Sequence, residues 1–459
     1  MVTTFVDVDY LVVGAGAAGM GFADPLVDHS EARLALVERR EAPGGHWLAD
    51  YPFVRLHQAS SFYGVASTVL GGGRLQSTGP EAGWSERADQ PTICSYYAEV
   101  LDRMVATGRV EFFSGCEYRG ERTFVSRETG ERYAVPERCR VVDGTYLSPD
   151  IPAEAAAPFA VDGARVVPVN EVTLIQDEFA QYVVVGSGKT ATDAIVRLLT
   201  EGVDPDAICW VRPRDPWMLN RAHIQPNPET YLDTVAQLLR CAAEAASLGD
   251  AFLGLEETGI LLRVDRSVTP TMARAPTLGS WELELLRSVD NVVRLGHVTA
   301  ARRGWIDLED GSVRVSEDSV VVHCAADGLK VRQRVPIWRP DAITLQPVRA
   351  GFPCFGFAMI GYVEATRDDD VEKNRVCRPS SLGNTPADWA AMNAIGARNS
   401  AAYNAEPDLE DFANRIAVNP ARVPPGYPLS EALDDAQARI QRYAGPALDH
   451  LTEWAGLAD

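Results

Sequence analysis

The sequence predicts an α/β protein with two parallel-sheet units, and three observations carry that expectation. An apolar run, Tyr10-Leu11-Val12-Val13, leads directly into Gly14-Ala15-Gly16-Ala17-Ala18-Gly19. A second run, Tyr182-Val183-Val184-Val185, leads into Gly186-Ser187-Gly188-Lys189-Thr190-Ala191. Each turn opens a helical pattern that ends in another apolar strand: Leu34-Ala35-Leu36-Val37 after the first, Ala207-Ile208-Cys209-Trp210-Val211 after the second. Strand, tight glycine turn and helix start together bring backbone N–H groups up to a pyrophosphate. One such turn is a weak signal. Two, each in context, imply a chain that holds two nucleotide cofactors, and the usual pair is FAD with a nicotinamide. The expected architecture is therefore two Rossmann-like dinucleotide-binding domains, for FAD and NAD(P), the second inserted in the first, with a helical insertion.

The bulk properties are consistent with this. A chain of 459 residues can form two or three domains with real cores. Its 46% hydrophobic and 23% charged content is ordinary for a globular protein. A net charge of −21 argues against nucleic acid or an anionic membrane as partner, since both need basic patches. A small-molecule substrate and O2 are the expected partners. No apolar stretch approaches the ~18 residues of a membrane span, and the N-terminus has no signal-peptide pattern, so a cytoplasmic protein is expected. The eight cysteines are scattered without a C-x-x-C pair, and histidines do not cluster with them. No metal site is expected.

The first strand is expected over 8–13, its helix over 17–27, a further helix over 93–107 and a strand over 109–114. A β-rich stretch follows from 119 to 142, and Pro149, Pro152 and Pro158 mark a linker. The FAD domain is expected over 1–175 and again, with C-terminal helices, over 319–459. The NADPH domain is expected over 176–318. Within it, residues 217–288 read as mainly helical, rich in Ala and Leu, either a lid or a subunit contact.

Several residues carry chemistry. Glu38 stands nineteen residues beyond Gly19 at the end of the second strand, where an acid accepts hydrogen bonds from the adenosine ribose. Arg39 follows it, then Gly44-Gly45-His46-Trp47, where paired glycines allow close approach to a flat ring and a tryptophan can wall its pocket. In the second unit, the place of Glu38 is taken by Arg212-Pro213-Arg214. Arginines there favour a 2′-phosphate, hence NADPH over NADH. Lys189 reaches either a phosphate or solvent. Gly186, Ser187, Gly188 and Thr190 complete the second turn.

Glu38 followed by Gly44-Gly45-x-Trp47 resembles the class B flavin monooxygenases: the flavin-containing, Baeyer–Villiger and N-hydroxylating enzymes. Tyr51-Pro52-Phe53-Val54-Arg55-Leu56-His57 is similar to their Y-P-G-x-R-x-D stretch, with His57 in place of the acid beside the flavin. That position suggests His57 as the catalytic residue, with a neutral-range pKa suited to proton handling. Val322-His323-Cys324-Ala325-Ala326-Asp327-Gly328 is similar to the turn that returns the family's chain to the FAD domain, which implies Asp327 and Gln346 as cofactor contacts. One motif departs: F-x-G-x-x-x-H has become Phe159 to Pro168, with no histidine. The resemblance implies an FAD- and NADPH-dependent monooxygenase that oxygenates an amine, sulfide or ketone through a C4a-(hydro)peroxyflavin. The alternatives are a flavin-dependent reductase or dehydrogenase without oxygen insertion, which the lost histidine favours, and a non-catalytic flavin-binding protein.

Overall fold

The computed structural model describes residues 3–175, 177–325, 328–380 and 382–457. Its framework is the same arrangement built twice. In the first sheet Tyr10–Val13 lies centrally, with Leu34–Val37 and then Val110–Phe113 on one side, Arg140–Asp143 and then Ala342–Thr344 on the other. In the second, Gln181–Val185 is central, flanked by Ile208–Val211 and Val292–Val293 on one side and Ser319–His323 and Arg165–Pro168 on the other. Every pairing in both sheets is parallel. The α/β class and the two Rossmann-like units are thus as the glycine turns implied.

The continuous apolar runs have a physical cause: both faces of each strand are buried. Val12, Leu36 and Val142 of the first sheet share one large core with Val184, Trp210 and Val322 of the second. On the opposite face, Leu11, Ala35, Val37 and Val141 pack beneath an antiparallel meander of Cys116–Gly120, Thr123–Ser126 and Arg132–Ala134. The second sheet repeats the device with Val298–Arg302, Trp305–Leu308 and Gly311–Arg314 over Val183, Val185 and Val211. The helix Ala17–His29 follows the first glycine turn and crosses Pro353–Thr366 closely. A Cβ at Gly361 would lie 2.2 Å from the carbonyl oxygen of Phe22, so only glycine permits that approach.

Sheet membership differs from the expected boundaries in two places. Arg165–Pro168 and Ser319–His323, assigned from sequence to the first unit, both hydrogen-bond into the second sheet. The chain rejoins the first sheet only at Ala342–Thr344, where Ile343 pairs with Val142. The stretch 217–288 is also less helical than expected. It holds the helices Pro228–Glu244, Leu248–Glu257 and Ser280–Arg287, but also a small sheet of Met218–Asn220, Leu261–Leu262 and Thr277–Leu278. One partner of this stretch lies within the chain. The C-terminal helix Glu431–Trp454 runs along Pro228–Glu244, tied by Arg439 to Asp233 at 2.7 Å and by His450 to the Ala242 carbonyl at 2.8 Å. Among the described residues, no helix is long and apolar enough to cross a membrane.

Candidate cofactor-binding site

Among the described residues the α-helices Ser280–Arg287, Pro353–Thr366 and Pro407–Arg415 lack a side-chain cap, and six begin with one: Asp89, Asn227, Ser247, Asp369, Thr385 and Ser430 each accept from an N–H of the first turn. The helices Ala17–His29 and Lys189–Thr200 do not. Their N-caps are Gly16 and Gly188, with no side-chain cap at either. The first-turn N–H groups and the positive end of the helix dipole are left for something outside the helix.

The first turn is held open and rigid. Gly14 takes φ +94°, and a Cβ at Gly19 would come within 1.9 Å of the Gly14 carbonyl oxygen. Glu38 is 4% exposed; its carboxylate accepts from the Ala15 N–H at 2.8 Å and the Arg40 N–H at 3.0 Å. Those two bonds fix its orientation at the lip of the turn and leave lone pairs for a ribose. Gly44 and Gly45 fold back over the turn: the Gly44 N–H donates to the Ala15 carbonyl at 2.9 Å, and a Cβ on Gly45 would stand 2.8 Å from the Gly16 Cα. Trp47 is buried and donates from Nε1 to the Tyr63 hydroxyl at 2.6 Å, with the His46 ring beside it at 5.0 Å. Arg39 instead lies exposed, 3.4 Å from Glu154, which pairs more closely with Arg40 at 2.7 Å.

The second turn differs in detail. Gly186 is buried at φ +142°, and the Ser187 hydroxyl is buried without a hydrogen-bond partner. A Cβ at Gly188 would meet nothing within 4 Å. Thr190 sits in the first helical turn. Lys189 is neither free in solvent nor free for a phosphate: it is ion-paired to Asp193 one turn on, and Asp193 also accepts from the Tyr51 hydroxyl at 2.7 Å.

His46, His57 and Tyr63 are strongly desolvated yet each keeps some accessible surface, so none is sealed in the close-packed core. A cavity of about 330 Å³ is lined by Phe53, Arg55, Arg87, Lys189, Asp193 and Trp281. Cross-unit bonds fix its walls: Arg221 Nε donates to the His57 carbonyl at 2.9 Å, and the Ser85 N–H donates to Gln225 at 3.0 Å.

Three of the expected site residues lie in surroundings that the sequence did not indicate. Arg212 is 1% exposed, pinned 2.9 Å from Asp215 with its guanidinium 4.4 Å over the Trp210 ring. Burial pushes its pKa down to about 10. Its Nε and Nη1 are buried without a hydrogen-bond partner among the described residues, whereas Arg214 is exposed and no hydrogen bond or ion pair to it is seen among them. Gln346 is 3% exposed and spent on the backbone: its amide donates to the Val335 carbonyl at 2.8 Å and accepts from the Val335 N–H at 3.3 Å. His57 does not titrate in the neutral range. Burial first, then Lys189, Arg221 and Arg87, hold it well below its usual value. Asp327 lies outside the described residues.

The histidines give a pH test. Burial, with Arg40 near, pulls His46 down to about 4. Unfolded, His46 and His57 take up protons near pH 6.5; folded, they stay neutral. A depressed histidine leaves stability unchanged above that pH and costs stability as pH drops below it, because only the unfolded state then takes up the proton. Each is expected to subtract up to ~1.4 kcal/mol per pH unit below ~6.5. Denaturant unfolding at pH 7.5 and pH 5.5 checks this; equal stabilities would contradict it.

A parallel α/β fold with twin open glycine turns defines the structural class, and comparison with solved structures agrees. A polycyclic ketone monooxygenase from Thermothelomyces thermophila superposes with a TM-score of 0.52 at 13% identity, covering 98% of this chain and 90% of that one. An ε-caprolactone-bound cyclohexanone monooxygenase gives 0.50 at 15% identity, covering 88% and 98%. At these identities the likeness is one of fold. No protein-family model matches the chain. The uncharacterised protein Rv2000 of Mycobacterium tuberculosis is 37% identical over 455 residues, 98% of this chain and 84% of the relative. Mb2023 of Mycobacterium bovis matches equally. The chain belongs to the family of these mycobacterial proteins.

Proposed function

We propose that the chain is an FAD- and NADPH-dependent oxidoreductase that acts as a monooxygenase on a small organic molecule. The observation that carries this is the repeated, uncapped glycine turn at the centre of each parallel sheet. The residues present suit the two nucleotides. Gly14, Gly16, Gly19 and Glu38 would hold the adenosine diphosphate of FAD, with Gly45, His46 and Trp47 beside the turn. Gly186, the partnerless Ser187 hydroxyl, Gly188 and Thr190 would receive the pyrophosphate of NADPH. When bound, the pair supplies hydride transfer and oxygen activation.

The chain's own contribution is binding, orientation and exclusion of water. His57, kept neutral by burial and three neighbouring cations, offers one N–H donor and one acceptor rather than a charge. The Tyr51–Asp193–Lys189 chain ties the loop before His57 to the second glycine turn. A cofactor seated on that turn would therefore bear directly on the loop. Purified protein tests the reading. It should be yellow, release FAD on denaturation, and consume NADPH and O2 in equal amounts when substrate is supplied. A colourless protein that takes up no flavin overturns it.

A second reading has one observation in its favour. The segment from Phe159 to Pro168 contains no histidine, and its strands Ala160–Asp162 and Arg165–Pro168 are absorbed into sheets of the second unit. A reductase passing electrons to an acceptor other than oxygen would reduce the flavin with NADPH but insert no oxygen into product.

The arginines separate two roles. Arg214→Ala is expected to leave thermal stability unchanged and to weaken NADPH at least tenfold relative to NADH. Arg212→Ala is expected to do the reverse. It removes a buried guanidinium, strands Asp215 with Arg294 alone, and costs about 3–5 kcal/mol. Melting curves and nucleotide titrations of the two variants check this, and equal losses of NADPH and NADH binding in Arg214→Ala would contradict it.

A further inference from the structure

Most buried arginines in this chain face a carboxylate. Arg221 pairs with Glu81 and Glu282, Arg87 with Glu81, and Arg212 with Asp215. Arg349 does not. Among the described residues no Asp or Glu lies within ion-pair distance of it. Its neighbours are neutral: Nη1 donates to the Asn419 side-chain oxygen at 3.0 Å, and the phenols of Tyr231 and Tyr403 lie beside the guanidinium, the Tyr403 hydroxyl 2.8 Å from that of Ser400. The guanidinium lies 5.6 Å from the centre of the Phe355 ring. Every one of these neighbours is buried: Tyr231, Phe355, Tyr403 and Asn419 are at most 6% exposed. Arg349 itself keeps accessible surface, so its guanidinium can be reached although the side chains around it are buried.

A guanidinium taken this deep without a counter-charge is costly unless an anion joins it. The loop that carries it is also fixed residue by residue. Gln346 is bonded to Val335, the Pro347 carbonyl accepts from the Ser380 N–H at 2.7 Å, and the Val348 carbonyl accepts from Asn399 at 2.8 Å. Gly396 lets a helix press on the next residue, since a Cβ there would lie 3.2 Å from the Ala350 N. A cation among aromatic rings, with five N–H donors of which one is bonded to the Asn419 side chain, has donors left for an anion.

We propose that Arg349, with Tyr231 and Tyr403, is an anion site that seats the carboxylate of the substrate. One guanidinium balances one negative charge, and its planar fork matches a carboxylate with two parallel bonds. The surrounding rings suit an apolar or aromatic body behind that carboxylate. As a statement about substrate this rests on the oxidoreductase reading; as a statement about binding it does not.

The test uses the intact purified protein with benzoate as probe and benzamide as its neutral counterpart, followed by calorimetric titration. Benzoate is expected to bind at least tenfold tighter than benzamide, and Arg349→Gln to remove that preference. Tyr403→Phe, which keeps the ring and removes one hydroxyl, is expected to weaken benzoate by a smaller factor while leaving the melting temperature near that of the parent. If benzoate does not bind, or binds no tighter than benzamide, the site is overturned. The same holds if Arg349→Gln lowers flavin content and leaves benzoate affinity intact. Benzoate binding that depends on Arg349 in a protein that never takes up flavin would keep the site and reject the redox reading.

Discussion

Glu81→Ala is expected to destabilise the folded chain by about 3–5 kcal/mol, the loss typical when one partner of a buried ion pair is removed. Glu81 is 4% exposed and accepts from four groups: Arg221, Arg87 at 3.1 Å, Trp281 Nε1 at 3.2 Å and Gln76 at 3.1 Å. Without it, two guanidiniums that are 1% and 9% exposed share Glu282 alone, at 2.9 Å from Arg221 and 3.8 Å from Arg87. Burial by itself would raise the Glu81 pKa, but Arg221 and Arg87 outweigh it and hold the carboxyl below its usual value. A depressed carboxyl adds stability above its unfolded pKa and loses it as pH falls through the folded one. The variant should therefore differ most from the parent near neutrality, the difference shrinking as pH falls from the usual carboxylate range through the lower folded pKa, and least where Glu81 is protonated in either state. Denaturant titrations of parent, Glu81→Ala and Glu81→Gln measure this. Glu81→Gln keeps most of the hydrogen-bonding shape and should fall between the other two. A loss under ~1 kcal/mol for the alanine variant would show that the network is replaceable by water.

The same network explains what could and could not be read from sequence. The two parallel sheets were legible because strands buried on both faces are written as unbroken apolar runs, and because glycine turns sit at fixed places beside them. The small sheet of Met218–Asn220, Leu261–Leu262 and Thr277–Leu278 was not. Strands of two or three residues are too short to show a period. Its role is to carry Arg221 and Glu282 to the first unit, which only long-range contact reveals. Arg212 shows a different limit. Its position after the second strand was correct, but the direction of its side chain was set by Asp215, three residues on, and by Trp210 beneath it. Lys189 and Asp193 stand at the i, i+4 spacing of a helical ion pair, a signal that was available. Arg349 left no local trace: what sets it apart is the carboxylate that is missing around it.

The sharpest contrast is expected between two glycines that look alike in the sequence. At Gly19 an added Cβ would lie 1.9 Å from the Gly14 carbonyl oxygen and 3.2 Å from Val12 Cγ1. Both belong to the central strand and its turn, so relief requires lifting the helix Ala17–His29 off the sheet. Gly19→Ala is expected to cost at least the ~1–3 kcal/mol of ordinary overpacking and to abolish flavin retention, because the turn and the helix N-terminus shift together. At Gly188 the backbone angles, φ −85° and ψ −173°, suit any residue, and the added methyl meets nothing within 4 Å. Gly188→Ala should therefore cost less than ~1 kcal/mol, the scale of a weakened N-cap. The open space above Gly188 is the space a pyrophosphate would fill on the proposed reading, so the same methyl is expected to weaken NADPH at least tenfold. Melting temperature, extracted flavin and NADPH affinity, measured on both variants, separate a glycine required by packing from one required by a ligand. If Gly188→Ala binds NADPH as the parent does, the second turn is not a nucleotide site, however well it imitates the first.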